Sequence, residues 1–104
     1  MKIVKVTYTA KAEYAEQNKS NIAQVMGAMQ KINNPAIRYE TFLGPDGKSF
    51  MHLAIFQSDE AEQVLLTLAE FKYFQEQLKA SGPESPSKQE LLTLVGSSVP
   101  RSNY

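Results

Sequence analysis

The 104-residue sequence contains one histidine, His52, and neither cysteine nor tryptophan. An imidazole with a pKa near 6.5 can accept or donate a proton at neutral pH, so His52 is the predicted catalytic residue. Arg38 and Glu40 lie two residues apart in a segment of alternating character, which puts both side chains on one face of a strand. Together with Lys5 they could bind a carboxylate or a phenolate, and Glu40 could orient His52.

Each assignment has a structural alternative. His52 could simply be hydrogen-bonded within an interface, and Lys5, Arg38 and Glu40 could form an interface ion-pair network. Four tyrosines could donate hydrogen bonds to a ligand between sheet and helices: Tyr8, Tyr14, Tyr39 and Tyr73. Buried tyrosines, however, usually find a structural partner. One histidine with scattered carboxylates predicts no metal site, and there is no glycine-rich phosphate loop.

The composition excludes several classes of function. Eleven Lys and Arg balance eleven Asp and Glu, and no short window is strongly basic, so nucleic acid is not an expected partner. The absence of cysteine excludes disulfides, thiol nucleophiles and cysteine-based metal centres. No apolar run approaches the 18 residues of a membrane span, and the N-terminal residues do not resemble a signal peptide. We therefore expect a single cytoplasmic domain.

Hydrophobic periodicity predicts four strands and two helices. The strands cover 2–9, 36–43, 48–57 and 89–96, and the helices cover 12–33 and 59–80. Whether the second helix is broken near Ala69 is left open. Gly44-Pro45-Asp46-Gly47 predicts a hairpin turn between the second and third strands. The order βαββαβ predicts a ferredoxin-like α+β fold with both helices on one face of an antiparallel sheet. The domain is expected to span 1–97, followed by a tail at 98–104.

The face of the sheet that carries the helices should be the more apolar one. It is predicted to hold Val4, Val6, Tyr8, Ile37, Tyr39, Met51, Leu53, Ile55, Leu92 and Leu94. The opposite face would hold Ile3, Lys5, Thr7, Arg38, Glu40, Phe42, Phe50, His52, Ala54, Phe56, Leu91, Thr93 and Val95. So much aromatic surface is rarely left in water, so a second copy should cover it as a homodimer. Lys5, Arg38, Glu40 and Phe50 would then bind substrate in a cavity between the sheets.

Residues 2–97 resemble the dimeric α/β-barrel superfamily of the antibiotic-biosynthesis-monooxygenase type. The likeness rests on the βαββαβ order, the 44–47 turn, the strand 49–56, the aromatic pair in Glu70-Phe71-Lys72-Tyr73-Phe74 and the ending Leu94-Val95-Gly96-Ser97. It implies sheet-to-sheet homodimers with a ligand pocket between sheet and helices or inside the barrel. The activities it implies range from cofactor-free oxygenation of quinol-like aromatics to haem degradation, isomerisation and cyclisation.

The sequence departs from the active subfamilies of that superfamily. The oxygenating and haem-degrading members use a Trp, often with an Asn, whereas this chain has no Trp and no Asn in 48–57. Residues 59–80 also lack the His of the haem-degrading members, so no haem or other cofactor is expected. Two hypotheses follow: a cofactor-independent monooxygenase-like enzyme acting on a small aromatic or quinol-type molecule, or a non-catalytic dimeric module that binds a small hydrophobic molecule.

Overall fold

The computed structural model describes residues 1–100. Four strands are present: β1 (Lys2–Thr9), β2 (Ile37–Leu43), β3 (Ser49–Phe56) and β4 (Ser85–Leu92). Helix α1 (Ala15–Ile32) follows a short 3₁₀ turn, and α2 (Asp59–Leu66) and α3 (Ala69–Ser81) lie between β3 and β4. The strands pair antiparallel in the order β2-β3-β1-β4. The predicted ferredoxin-like α+β fold is thus confirmed.

Local chemistry accounts for the helix ends. Helix α1 stops where Asn33 takes a left-handed conformation (φ 52°), directly before the Asn34-Pro35 pair. Helix α2 begins at Ser58, whose hydroxyl accepts a hydrogen bond from the backbone N–H of Ala61. The second predicted helix is broken near Ala69, because Thr67 and Leu68 separate α2 from α3.

The hairpin turn sets how β2 and β3 pair. The Asp46 carboxylate accepts hydrogen bonds from the backbone N–H groups of Lys48 and Ser49. The resulting register pairs Leu43 with Phe50, and Thr41 with His52. Residues directly opposite in an antiparallel pair share a face. Phe50, His52, Ala54 and Phe56 therefore lie on the same side as Tyr39, and that side carries the helices and the buried core.

Two predicted face assignments are consequently wrong. Strand β3 carries Phe50, His52, Ala54 and Phe56 on the helix side, whereas Met51, Leu53 and Ile55 point to the open side. Both faces of β3 are apolar, so alternation could not distinguish them, and the hairpin register decided. The last strand also lies earlier than predicted, at 85–92 instead of 89–96. It pairs Leu91 with Val4 on the helix side and Leu92 with Ile3 on the open side, the reverse of the predicted faces.

The open side of the sheet consists of three cross-strand rows. The first row is Arg38, Ile55, Ile3 and Leu92; the second is Glu40, Leu53, Lys5 and Glu90; the third is Phe42, Met51, Thr7 and Lys88. The rows mix apolar and charged side chains, and no helix of the described residues covers them. The predicted tail 98–104 falls outside the described residues from position 101 onward.

Candidate functional site

His52 sits at the centre of the helix-covered side of the sheet. On β3 it lies directly between Thr41 of β2 and Val6 of β1. Tyr39 and Tyr8 are its diagonal neighbours on the same two strands, at a spacing that aromatic side chains can bridge. The alternation of three strands thus brings two phenols to one imidazole.

Both imidazole nitrogens of His52 are engaged by hydroxyl groups. Tyr8 Oη lies 2.8 Å from Nε2, and Tyr39 Oη lies 2.6 Å from Nδ1. The hydroxyl of Thr41 is also within 3.2 Å of Nδ1. Helix α1 contributes a further partner, because Asn18 Nδ2 donates to Tyr8 Oη over 2.8 Å. A continuous hydrogen-bonded chain therefore runs from α1 through Tyr8 and His52 to Tyr39.

Burial sets the charge state of this chain. His52 is only 4% exposed, and desolvation lowers its pKa to about 4. Desolvation also raises the pKa of Tyr8 and of Tyr39 well above the ordinary phenol value. At neutral pH all three groups are uncharged, so the imidazole is in its proton-accepting form. The arrangement can move a proton between hydroxyl groups without holding a charge at rest.

A cavity of about 490 Å³ opens onto this chain between the sheet and helices α2 and α3. Tyr8, Tyr39 and His52 line it on the sheet side, and the aromatic rings of Phe71 and Phe74 form part of its wall. Further polar side chains of the lining come from the helices and β4: Glu62, Gln75, Lys79, Ser87 and Gln89. The Phe74 ring centroid lies 5.3 Å from that of His52. A volume of this order suits a small organic molecule. Among residues 1–100 no three His, Asp or Glu side chains group in a way that could hold a metal ion.

The predicted site residues fall on two sides of the sheet. Lys5, Arg38 and Glu40 lie on the open side, so the β-sheet separates them from the His52 cavity. Arg38 and Glu40 do share a face and form an ion pair of 3.4 Å, as their spacing predicted. Phe50 lies on the helix side, where its ring stacks on Tyr8 at 5.5 Å. Phe50 is not among the residues that line the His52 cavity. The predicted orientation of His52 by Glu40 is wrong, because the two side chains lie on opposite sides of the sheet.

Sequence reasoning missed Asn18. Its side chain is completely buried in the apolar stripe of α1, four residues before Ile22 and three after Ala15. A polar residue at a core position of a periodic stripe is the signal that could have revealed it, because such a group requires a buried partner. The Oδ1 atom of this amide has no hydrogen-bond partner among the described residues. Two of the four proposed ligand-facing tyrosines, Tyr8 and Tyr39, do line the cavity.

No protein-family profile matches the sequence, and no curated protein does either. No helix among residues 1–100 is long and apolar enough to cross a membrane.

Several solved structures superpose over nearly the whole chain. One is described as an antibiotic biosynthesis monooxygenase, with a TM-score of 0.75 and 13% identity, covering 92% of this chain and all of the other. A variant of SnoaB, a cofactor-independent oxygenase from Streptomyces nogalater, has a TM-score of 0.66 and 18% identity, covering 93% and 94% of the two chains. A Pseudomonas aeruginosa protein has a TM-score of 0.74 and 15% identity, covering 91% and 94%. The chain therefore has the fold of the antibiotic biosynthesis monooxygenase superfamily, as the sequence resemblance implied.

Proposed function

We propose that this protein binds a small hydroxylated aromatic of the quinol type in the His52 cavity and promotes its oxygenation by molecular oxygen without a cofactor. The observation that carries the proposal is the pairing of a neutral, doubly hydrogen-bonded imidazole with an aromatic-walled cavity. The similarity in fold to a cofactor-independent oxygenase supports the reaction type.

The geometry suits a flat ligand that carries ring hydroxyls. Phe71 and Phe74 offer aromatic surface against which such a ring can pack. Tyr8 and Tyr39 bond opposite nitrogens of one imidazole, so their hydroxyls lie on different sides of it and can meet two oxygens of a ligand. A quinol, with oxygens on either side of its ring, matches this arrangement.

The proposed role of His52 is to take up the substrate's hydroxyl proton. Loss of that proton makes the ring electron-rich enough to react with oxygen, and a quinol plus O₂ gives a hydroxyquinone plus water. Burial disfavours an imidazolium, but the negative charge left on the ligand lies close by and offsets that penalty. Hydrogen bonds from the tyrosine hydroxyls stabilise the negative charge on the two ligand oxygens that they meet.

Oxygen consumption with a panel of quinols and hydroxylated polycyclic aromatics tests this proposal. We expect turnover by the unmodified protein and a loss of 10²-fold or more in His52→Ala, the range for removing a general base. Arg38→Gln, on the open side, is the matched control and should retain the rate. Equal rates for His52→Ala and the unmodified protein would refute a catalytic role of His52.

A non-catalytic binding module is the second candidate. It is favoured by the absence of the Trp and strand Asn that the resemblance implies for oxygenases. In that case the same aromatics would bind, by calorimetry or fluorescence, without any oxygen consumption. Binding with no turnover across the panel would replace the first proposal with this one.

We also propose that a second copy of the chain covers the open side of the sheet to form a homodimer. The central row of that side alternates in charge and apolarity along Glu40, Leu53, Lys5 and Glu90. Under a two-fold axis such a row can pair with itself, acids against bases and apolar groups against each other. We predict that the homodimer is located in the cytoplasm.

A further inference from the structure

We infer that Asn18 gives the hydrogen-bonded chain a fixed direction, so that His52 carries its proton on Nδ1 and Tyr39 becomes the hydrogen-bond donor that faces the ligand. Asn18 is thus a positioning residue that acts through Tyr8 and His52. The tautomer assignment stands on the geometry alone, while its meaning for catalysis rests on the proposed function.

Tyr8 lies between Asn18 and His52 in the hydrogen-bonded chain. An amide nitrogen can only donate, so the oxygen of Tyr8 must accept from Asn18 Nδ2 at 2.8 Å. The Oδ1 atom of the same amide has no hydrogen-bond partner among residues 1–100 and therefore does not compete for the Tyr8 hydrogen. The single hydroxyl hydrogen of Tyr8 is left for its other neighbour, which is His52 Nε2 at 2.8 Å.

The hydrogen bond from Tyr8 determines which imidazole nitrogen of His52 carries the proton. In neutral histidine one nitrogen donates and the other accepts, and the partner of one nitrogen determines the state of the other. Since Nε2 accepts from Tyr8, the proton of His52 lies on Nδ1. It is donated to Tyr39 Oη at 2.6 Å. The hydroxyl hydrogen of Tyr39 is then available to the neighbouring Thr41 hydroxyl or to a group in the cavity.

This direction gives the two tyrosines different functions. A ligand hydroxyl at Tyr8 can pass its proton to the Tyr8 oxygen while the original Tyr8 hydrogen moves to Nε2. One O–H bond of the ligand breaks, one N–H bond forms, and Tyr8 ends as it began. Tyr39 donates to a ligand oxygen that gains negative charge, such as a phenolate or a quinone carbonyl.

Nitrogen-15 NMR of the unliganded protein tests the inference, because His52 is the only histidine of the chain. The protein is labelled with ¹⁵N-histidine and purified without a histidine tag. At pH 7.5 we expect a protonated Nδ1 and an unprotonated Nε2. In Asn18→Leu the ratio of this tautomer to the Nε2–H form should fall about fivefold, the effect of losing one ordinary hydrogen bond.

Asn21→Leu is the matched control. Asn21 is also a buried asparagine of α1, but its amide bonds Tyr14 and Gln17 and does not touch the chain. We expect the wild-type tautomer in this variant. Tyr8→Phe is a second variant in case Asn18→Leu does not fold, and it should shift the tautomer in the same direction.

Two results would overturn the inference: an Nε2–H tautomer in the unmodified protein, or an unchanged tautomer ratio in a folded Asn18→Leu or Tyr8→Phe variant. Neither measurement uses a substrate. Failure of the oxygen-consumption assay would therefore leave this inference standing, and failure here would leave the oxygenation proposal to its own test.

Discussion

The two sides of the β-sheet accommodate polar side chains in different ways: by buried hydrogen bonds on the helix side and by partly solvated ion pairing on the open side. On the helix side, His52 and Tyr8 are nearly inaccessible to water, and their polar atoms bond one another. On the open side, Arg38 and Glu40 form an ion pair that is still partly solvated. Most buried polar atoms on the helix side belong to a connected chain, because an unpaired buried group is costly; Asn18 Oδ1 is the exception among residues 1–100. On the open side no such condition applies.

The same contrast separates two phenylalanines on neighbouring strands. Phe50 is 3% exposed and belongs to the core, whereas Phe42 is 48% exposed on the open side. The helix side is thus a finished interior with a ligand-sized cavity. The open side combines buried Ile3 and Ile55 with the exposed apolar side chains of Phe42 and Leu92. A second copy would cover the exposed part.

The greatest loss of stability is expected at Phe50. Phe50→Ala should lower the free energy of unfolding by about 3–5 kcal/mol, since it leaves a cavity among packed side chains. Phe42→Ala should cost less than about 1 kcal/mol in the monomer, because its ring is half solvated. Urea unfolding of both variants measures the difference. Equal losses would mean that the two sides of the sheet are equally packed.

The next effect is a loss of stability in mild acid. Burial lowers the pKa of His52 from 6.5 to about 4, so between these values the unfolded chain binds a proton that the folded chain does not. The stability is complete above pH 6.5 and falls by on the order of 3 kcal/mol as the pH drops to 4. Urea unfolding at a series of pH values measures the slope.

His52→Gln is the control for that slope and should flatten it. Asp46 does not interfere, because its pKa is lowered from 3.8 to about 2 by hydrogen bonds in the hairpin turn, so its contribution is lost only below pH 3.8. An equally steep loss between pH 6.5 and 4 in His52→Gln would mean that other groups cause it.

A third prediction concerns the open side. Leu53→Glu puts a third acid into the row with Glu40 and Glu90 and should weaken self-association at least tenfold, because it buries an additional charge at the centre of the proposed interface. Sedimentation velocity or native mass spectrometry over a concentration series measures this. Tyr73→Glu, an exposed site on α3, is the control. A monomeric unmodified protein would refute the homodimer itself.

The smallest predicted effect is a change in ligand affinity, which should differ between a substitution on the helix side and one on the open side. Tyr39→Phe removes one hydroxyl from the cavity and should weaken the binding of a phenolic ligand about fivefold, as expected for one hydrogen bond. Arg38→Gln should leave that affinity unchanged, because the sheet lies between Arg38 and the cavity. Calorimetric titration compares them. A larger loss of affinity in Arg38→Gln than in Tyr39→Phe would indicate that the ligand binds on the open side.

Much of the fold could be predicted because its signals are local. Asn33-Asn34-Pro35 ends α1, Ser58 begins α2, and the 44–47 turn joins β2 to β3, each through its own backbone chemistry. The last strand was predicted four residues too late. Its observed span, Ser85–Leu92, begins with polar residues on a sheet edge, and no alternation in them distinguishes strand from loop.

The candidate site could be predicted only in part. His52 was identified by being the only imidazole, but its proposed partners Lys5 and Glu40 belong to the other side of the sheet. The error has one physical source: Phe50, His52, Ala54 and Phe56 alternate with Met51, Leu53 and Ile55, so both faces of β3 are equally apolar. Burial preference cannot choose between two such faces.

Local patterns in the sequence specified the type and order of the four strands and of the helical segments, since periodicity, caps and turns depend on neighbouring residues, but they left open the break between α2 and α3. Tertiary structure decided which residues meet. The register of the β2–β3 hairpin turned His52 toward the helices, and the packing of α1 brought Asn18 to Tyr8. Contacts between residues 10 to 44 positions apart depend on how strands and helices pair in space, and no local pattern in the chain encodes them.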